Sequence, residues 1–437
     1  MSYRLKLLGL ALAAPLAFAT VTAATADDQV TIRVMDWQSG GPDFWKKTDD
    51  LFMQKYPNIK VEHEFVPYGN YFDQVGAYVA SQDGPDLIQN EPGGNVFDRK
   101  DNWTPLNQYF TKDELAAFNG TAALCTDFDC SKEIWGIPHT NQGHLMYYNK
   151  EVFKEAGLDP EKPPLTYKEL GDDCAKIKAA GKDCIELGAK DWAFLWTWLE
   201  LSVQVATPAD MKALQSGTQK WTEGAHLAAL KIFADMVKKG FFNPGAAATT
   251  VTPDMNDAFV GNKAGFVMTI MSDFMNWKWW GDKMGYDKFG VLKFPVIAAG
   301  DIDGVTPGPY AGKFNPYGGI GYNLTTWSKH KQEAVDYIKF VTSPETQTRY
   351  LVEGGAMPAN RNVDRDAVAK IGSPQLVQTL AWANEDGNFP ASPHLYLYAA
   401  ELDELSRGAQ LLLAGSTTVD QMAASLQQVH DAQAAKQ

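Results

Sequence analysis

The sequence predicts an α/β protein built on a parallel sheet, and three observations carry that prediction. Strand-like runs rich in β-branched residues alternate with segments of helical spacing from Val30 onward. The first of these follow one another in the order strand, helix, strand, helix, strand, which suits a parallel sheet with helices on its faces. The 437 residues hold no internal repeat and no low-complexity linker. That length suits two or three domains, and without a linker the domains would be joined by strands crossing between them.

The elements read in order as follows. Val30 to Trp37 is a strand. Pro42 to Tyr56 is a helix, with Phe44, Leu51 and Phe52 at helical spacing, broken by Pro57-Asn58. Ile59 to Val66 is a second strand and Tyr71 to Ala80 a second helix. The turn Asp83-Gly84-Pro85 then leads into a short strand, Asp86 to Gln89. Gly143 to Asn149 is strand-like, Glu151 to Ala156 is a helix stopped by Gly157, and Tyr167 to Ala180 is another. Thr222 to Lys239 places Leu227, Leu230, Phe233 and Val237 on one face, with Gly240 at its end. Ala264 to Ile270 is a strand and Lys331 to Thr342 a helix; Ser343 then caps a further helix with Pro344 at its first position.

The N-terminus reads as an export signal. Arg4 and Lys6 precede an apolar core, Leu7 to Phe18, and Ala24-Thr25-Ala26 supplies small residues for cleavage after Ala26. Residues 1–26 are therefore expected to be removed. No cysteine follows the cleavage site, so no lipid anchor is expected, and the mature protein would be free in the periplasm. The net charge is -14, and the leader carries two cations and no acid, so the mature chain would be more acidic still. Such a chain is repelled by nucleic acid and anionic lipid. The four cysteines, Cys125, Cys130, Cys174 and Cys184, allow three disulfide connectivities in an oxidising compartment. The two local pairs, Cys125–Cys130 and Cys174–Cys184, are favoured over a zinc site, because the spacings do not match the usual knuckles.

Five stretches in order resemble a known family: FMQKYPNIKVEHEFVPYGNY, QDGPDLIQ, IWGIPHTNQGHLMYYNKEVFKEAGLDP, FVGNKAGFVMTIMSDF and NPYGGIGYNLTTWSKHKQEAVDYIKFV. They resemble extracellular solute-binding proteins of the maltose-binding type, in its carbohydrate branch. The resemblance covers nearly the whole mature chain. It implies the two-lobed periplasmic binding protein fold, with a ligand cleft between lobes that close by hinge bending. It also implies a sugar as solute, an inner-membrane ABC permease as partner, and no cofactor. Crossings are expected near Ile137–Gly143, Ala264–Ile270 and Gly319–Asn323. Residues 27–138 and 268–321 would form lobe one, and residues 139–267 and 322–437 lobe two. A monomer is expected.

A sugar site needs planar polar groups for hydroxyls and aromatic faces for the ring. Open α/β sheets bind ligands beyond the carboxyl ends of their strands. Asp36, Trp37 and Gln38 end the first strand, although Trp37 reads equally as packing on the first helix. Asp86, Gln89, Asn90 and Glu91 surround the third strand, with capping of the preceding turn as the other reading of Asp86. His139, Asn141 and Gln142 lie at the first crossing. Trp192 and Trp196 share a helix face that reads first as core and second as a sugar platform. Asp273 and Phe274 follow the second crossing, where the resembling family often has Ser-Trp. Asn315, Tyr317, Gly318 and Gly319 lead into the third, where glycine lets backbone approach a ligand.

No nucleophile elbow, phosphate loop or zinc-protease motif occurs. His139 and His144 lack an evident third partner for a metal. A secreted glycoside hydrolase or lyase is the alternative in another class, and would need paired carboxylates. A polyamine-binding protein would need several acids around aromatics, which Asp36, Asp86 and Glu91 could supply.

Overall fold

The computed structural model describes residues 29–37, 42–97, 99–118, 133–191, 193–270, 277–385, 387–389 and 392–436. Eleven strands are described: β1 Val30–Asp36, β2 Ile59–Phe65, β3 Leu87–Asn90, β4 Gly136–Pro138, β5 Asn141–Gln142, β6 His144–Asn149, β7 Asp183–Glu186, β8 Ala264–Ile270, β9 Phe289–Leu292, β10 Tyr317–Gly318 and β11 Gly321–Leu324. They form two main sheets, ordered β2-β1-β3-β11-β4 and β7-β8-β6-β9, and a ribbon of β10 with β5. In the first sheet β1 runs parallel to β2 and β3, while β11 is antiparallel to both its neighbours.

The first sheet is covered on both faces, as a parallel sheet requires. Ile32 and Val34 of β1 enter one core with Trp45 and Phe52 of the helix Pro42–Lys55 and Tyr337 and Ile338 of the helix Lys331–Val341. Met35 faces the opposite side, with Tyr71 and Val75 of the helix Tyr68–Ser81. The second sheet carries its own core, in which Leu145 and Met146 of β6 and Phe266 and Val267 of β8 meet the helices Tyr167–Ala179, Ala193–Val205 and Gly224–Lys238. Within the last of these, Leu230 and Phe233 are fully buried, with Leu227 and Val237 packed beside them. Helix starts follow the expected chemistry. Thr166 and Glu169 form a capping box, and Ser343 accepts from Thr346 N with Pro344 in the first turn.

The lobe boundaries differ from those expected. β8 lies inside the second sheet between β7 and β6, so Ala264–Ile270 is an internal strand and not a crossing. Its apolar run marks burial on both faces, and either sheet supplies that. β9 also pairs with β6, so this part of the chain belongs to the second lobe. β11 and the helix Lys331–Val341 belong to the first lobe. Helices from Arg365–Ala369 onward return to the second core.

Among the described residues, three neighbouring segments pass between the lobes. The first is β4–β5–β6, and the second is β10–β11. The third follows the helix Pro344–Gly354, where the sequence gives no strand signal. Backbone hydrogen bonds tie them together: His139 N to Ile320 O (2.9 Å), Gly319 N to Thr140 O (2.9 Å) and Asn141 N to Met357 O (2.9 Å).

Cys174 and Cys184 form a disulfide, with Cα atoms 5.0 Å apart, which excludes a zinc site using all four cysteines. Cys125, Cys130 and the expected signal peptide lie outside the described residues. Among the described residues, no helix is long and apolar enough to cross a membrane.

Candidate functional site

The polar residues of interest gather around the ribbon of β5 and β10, which the chain enters from one sheet and leaves toward the other. Asn90 closes β3 and is fully buried. The loop after it meets the second lobe, since a Cβ on Gly93 would lie 3.4 Å from Leu395 Cα. Asn141 is buried in β5, with its side-chain oxygen unpartnered. Tyr317 in β10 stacks on His144 with ring centroids 5.9 Å apart, and meets the edge of His394 at 5.3 Å. The Ser392 hydroxyl lies 2.8 Å from His394 Nδ1. Asn315 is fully buried; its oxygen accepts from His144 N at 3.5 Å, and its Nδ2 has no partner among the described residues. Among the described residues, both ring nitrogens of His144 are buried without partners.

The described side chains named here are amides, imidazoles, a phenol and a hydroxyl, and Glu91 acts on the Tyr317 phenol. Burial holds His144 well below the usual imidazole range, with nearby His394 adding to it, and burial takes His394 down to about 4. Burial raises the Tyr317 phenol; a hydrogen bond with Ser392 opposes this and Glu91 adds to it. At neutral pH the histidines are therefore uncharged, each with one donor and one acceptor. Unpartnered buried polar groups cost free energy, so each of these atoms is open to a further hydrogen-bonding partner.

Several expected residues are placed elsewhere. Asp86 precedes β3, at the end away from the ribbon, and both its oxygens are engaged: Arg33 N donates at 2.8 Å and Ser328 Oγ at 2.6 Å. It ties strands together and does not join the cluster. Asp36 accepts from the Tyr322 hydroxyl at 3.1 Å. His139 is enclosed by the first lobe's aromatics, with Tyr322 at 5.1 Å, Trp45 at 5.5 Å and Tyr350 at 5.7 Å. Trp37 packs edge-on to Tyr71 at 4.8 Å, on the second helix and not the first, and stays partly exposed. Gly319 lies against a neighbouring crossing segment. A Cβ there would lie 2.3 Å from Gln142 Cγ, so its smallness serves the contact between crossing segments. Gly318 pairs with Asn141 across the ribbon. Gln38, Trp192, Asp273 and Phe274 lie outside the described residues.

Sequence reasoning missed His394, Ser392 and Asn323 altogether, and read His144 only as half of a metal pair. No periodicity marks the segment holding Ser392 and His394, and their neighbours in space lie far away in the chain.

His139 also sets an acid limit. Burial pushes it down to about 3, with His63 adding to the shift. A histidine that must stay neutral in the folded state opposes folding once the unfolded chain protonates. Stability from this group is therefore expected to fall as pH drops below about 6.5, by about 1.4 kcal/mol per pH unit, until about pH 3. Melts at pH 7, 5.5 and 4 should show His139→Gln losing less stability on acidification than the wild type. Parallel losses would contradict this.

Two α/β lobes joined by three adjacent crossing segments, with neutral hydrogen-bonding groups at the junction, define a two-lobed solute-binding protein. The sequence profile of the bacterial extracellular solute-binding proteins matches residues 36–348, well over half of the chain, and the protein belongs to that family. The sn-glycerol-3-phosphate-binding periplasmic protein UgpB of Yersinia pestis is 31% identical over 172 residues, covering 37% of this chain and 38% of that protein. The match thus spans well under half of that relative's length. A binding protein of Brucella abortus is 22% identical over 351 residues, 78% of each chain. Among solved structures, a chitin oligosaccharide binding protein superposes with a TM-score of 0.75 at 22% identity, covering 92% of this chain and 98% of its own. The maltose-bound MalE3 of T. maritima gives 0.72 at 21% identity, covering 92% and 99%. At these identities the solved structures establish the shared fold.

Proposed function

We propose that the protein captures a small carbohydrate between its lobes and delivers it unchanged to an ABC importer at the inner membrane. The observation that carries this is the set of buried, uncharged groups with unfilled hydrogen-bonding capacity: Asn90, Asn141, His144 and Asn315 beside the Tyr317 ring. Hydroxyl groups both donate and accept, and a sugar also offers a C–H face to an aromatic ring. The protein acts after export, as a periplasmic monomer with its leader cleaved after Ala26 and no lipid anchor.

The other solutes fit the cluster less well. A phosphate-bearing solute such as the one named for UgpB would bring its charge close to Glu91, which already acts on Tyr317. A polyamine needs several free acids, but Asp36 and Asp86 are engaged within the first lobe. A hydrolase needs two carboxylates across the scissile bond; the described groups gathered at the ribbon are amides, imidazoles and a phenol, and Glu91 is the carboxylate that acts on Tyr317.

A thermal-shift panel of glucose, maltose, xylobiose, chitobiose, putrescine and sn-glycerol 3-phosphate tests the reading. A solute at a thousandfold excess over its dissociation constant stabilises the fold by about 4 kcal/mol. A shift from a sugar recovered intact is expected; a shift from sn-glycerol 3-phosphate or putrescine alone would replace the carbohydrate, and release of hydrolysed sugar would replace the binding function. Trp37, beyond the end of β1, is proposed to cover the sugar. Trp37→Ala should weaken affinity about tenfold with little change in melting temperature, because the ring is only partly buried. Unchanged affinity with lost stability would make it a packing residue.

A further inference from the structure

Asn90 is held by a chain of hydrogen bonds whose direction is fixed at its far end. The Asn323 amide lies 2.7 Å from the Trp135 carbonyl oxygen. A carbonyl only accepts, so the Asn323 group facing it is the nitrogen. Asn323 therefore turns its oxygen toward Asn90, 3.0 Å away, and Asn90 must present its own nitrogen to that oxygen. This leaves Asn90 Oδ1 facing away from Asn323, buried and, among the described residues, without a partner. The orientation follows from the obligate acceptor at Trp135 and not from how similar the two ends of an amide look.

The framework leaves little freedom to reverse the chain. Asn90 and Asn323 belong to paired strands of the first sheet, with Asn90 opposite Gly321 and Asn323 opposite Gly136. A Cβ on Gly136 would lie 3.2 Å from Asn323 Nδ2, so glycine there gives the Asn323 amide its room. Asn90, Asn323 and the Trp135 carbonyl thus form a buried relay that ends at the junction of the lobes.

We propose that Asn323 is a positioning residue that makes Asn90 Oδ1 a compulsory acceptor, so that the solute must place a hydrogen-bond donor there. This rests on the carbohydrate reading only in naming that donor as a hydroxyl. A group that solely accepts, such as an ionised phosphate or carboxylate oxygen, is refused at this position. A solute lacking the donor leaves a buried acceptor unsatisfied, and its affinity is lower by about tenfold to a hundredfold. Asn315 is turned the opposite way, by the longer contact with the His144 N–H, and offers its nitrogen as a donor.

Two measurements test the relay. Neutron diffraction from a deuterium-exchanged crystal of the sugar-free protein reads the amide orientations directly. Deuterons on Asn90 Nδ2 pointing at Asn323 are expected; Asn90 oxygen pointing at Asn323 overturns the proposal. This arm does not depend on the solute. The second arm titrates wild type and Asn323→Leu with maltose, xylobiose and chitobiose, and with the monodeoxy derivatives of whichever binds most tightly. In the wild type one deoxy derivative should lose about tenfold or more, and in Asn323→Leu that penalty should shrink, because the Asn90 amide is free to turn. A variant weakened equally toward the parent sugar and every derivative has a structural defect only, and overturns the positioning role. If none of the sugars binds while the neutron orientations hold, the carbohydrate reading fails and the relay stands.

Discussion

Gly319→Val is expected to be the most destabilising single change at the junction, by about 3 kcal/mol or more, and to abolish solute binding with it. A Cβ at this position would sit 2.3 Å from Gln142 Cγ, 2.4 Å from Gln142 Cδ and 2.8 Å from the Thr140 hydroxyl. None of these neighbours is free to leave. Gln142 is buried in the ribbon opposite Tyr317, and the Thr140 hydroxyl accepts from Ile320 N at 2.9 Å. Gly319 N itself donates to Thr140 O. The valine must therefore part the first and second crossing segments, on which the relative placement of the lobes depends. Thermal melts and calorimetric titration with the sugar that shifts the wild type most would measure both effects. A melting temperature within about one degree of the wild type, with affinity retained, would mean that the Gln142 side yields without cost.

Tyr317→Ala is expected to weaken affinity about a hundredfold, the largest loss from any change that leaves the crossing backbone intact. The ring is buried between His144 and His394, and its hydroxyl bonds to Ser392. Removing it deletes the ring that packs on both imidazoles and leaves them free to turn away from the polar groups beside them. Truncation of a buried aromatic also costs roughly 3–5 kcal/mol of stability, so affinity must be read alongside the melt. Tyr317→Phe separates the two effects. It keeps the ring and should stay within about tenfold of the wild type, because only the hydroxyl is lost. If the alanine variant binds as tightly as the wild type once refolded, Tyr317 is structural and the sugar lies elsewhere.

The early part of the fold was legible because its signals are local. β1 and β2 show their β-branched residues, and the helices Tyr167–Ala179 and Pro344–Gly354 show their caps within four residues. The first and last expected crossings coincide with β4–β5–β6 and β10–β11. The misplaced crossing at Ala264–Ile270 shows the limit: an apolar run reveals that a strand is buried but not which sheet buries it. The same limit governs the site. Asn90 and Asn141 are legible as polar residues at strand ends, but the partner that orients Asn90 lies 233 residues away. Asp86 looks equally exposed to ligand in the sequence until Ser328, 242 residues on, takes one of its oxygens. Gly319 shows that space is needed without showing what fills it.

The proposed function places a sugar between the two lobes at the ribbon of β5 and β10. A crystal structure of the protein with the panel sugar that stabilises it most tests this directly. The sugar is expected beside the Tyr317 ring, with hydroxyls on Asn90 Oδ1, Asn141 and Asn315 Nδ2. A sugar bound on the outer surface of either lobe, with those three amides untouched, would contradict it.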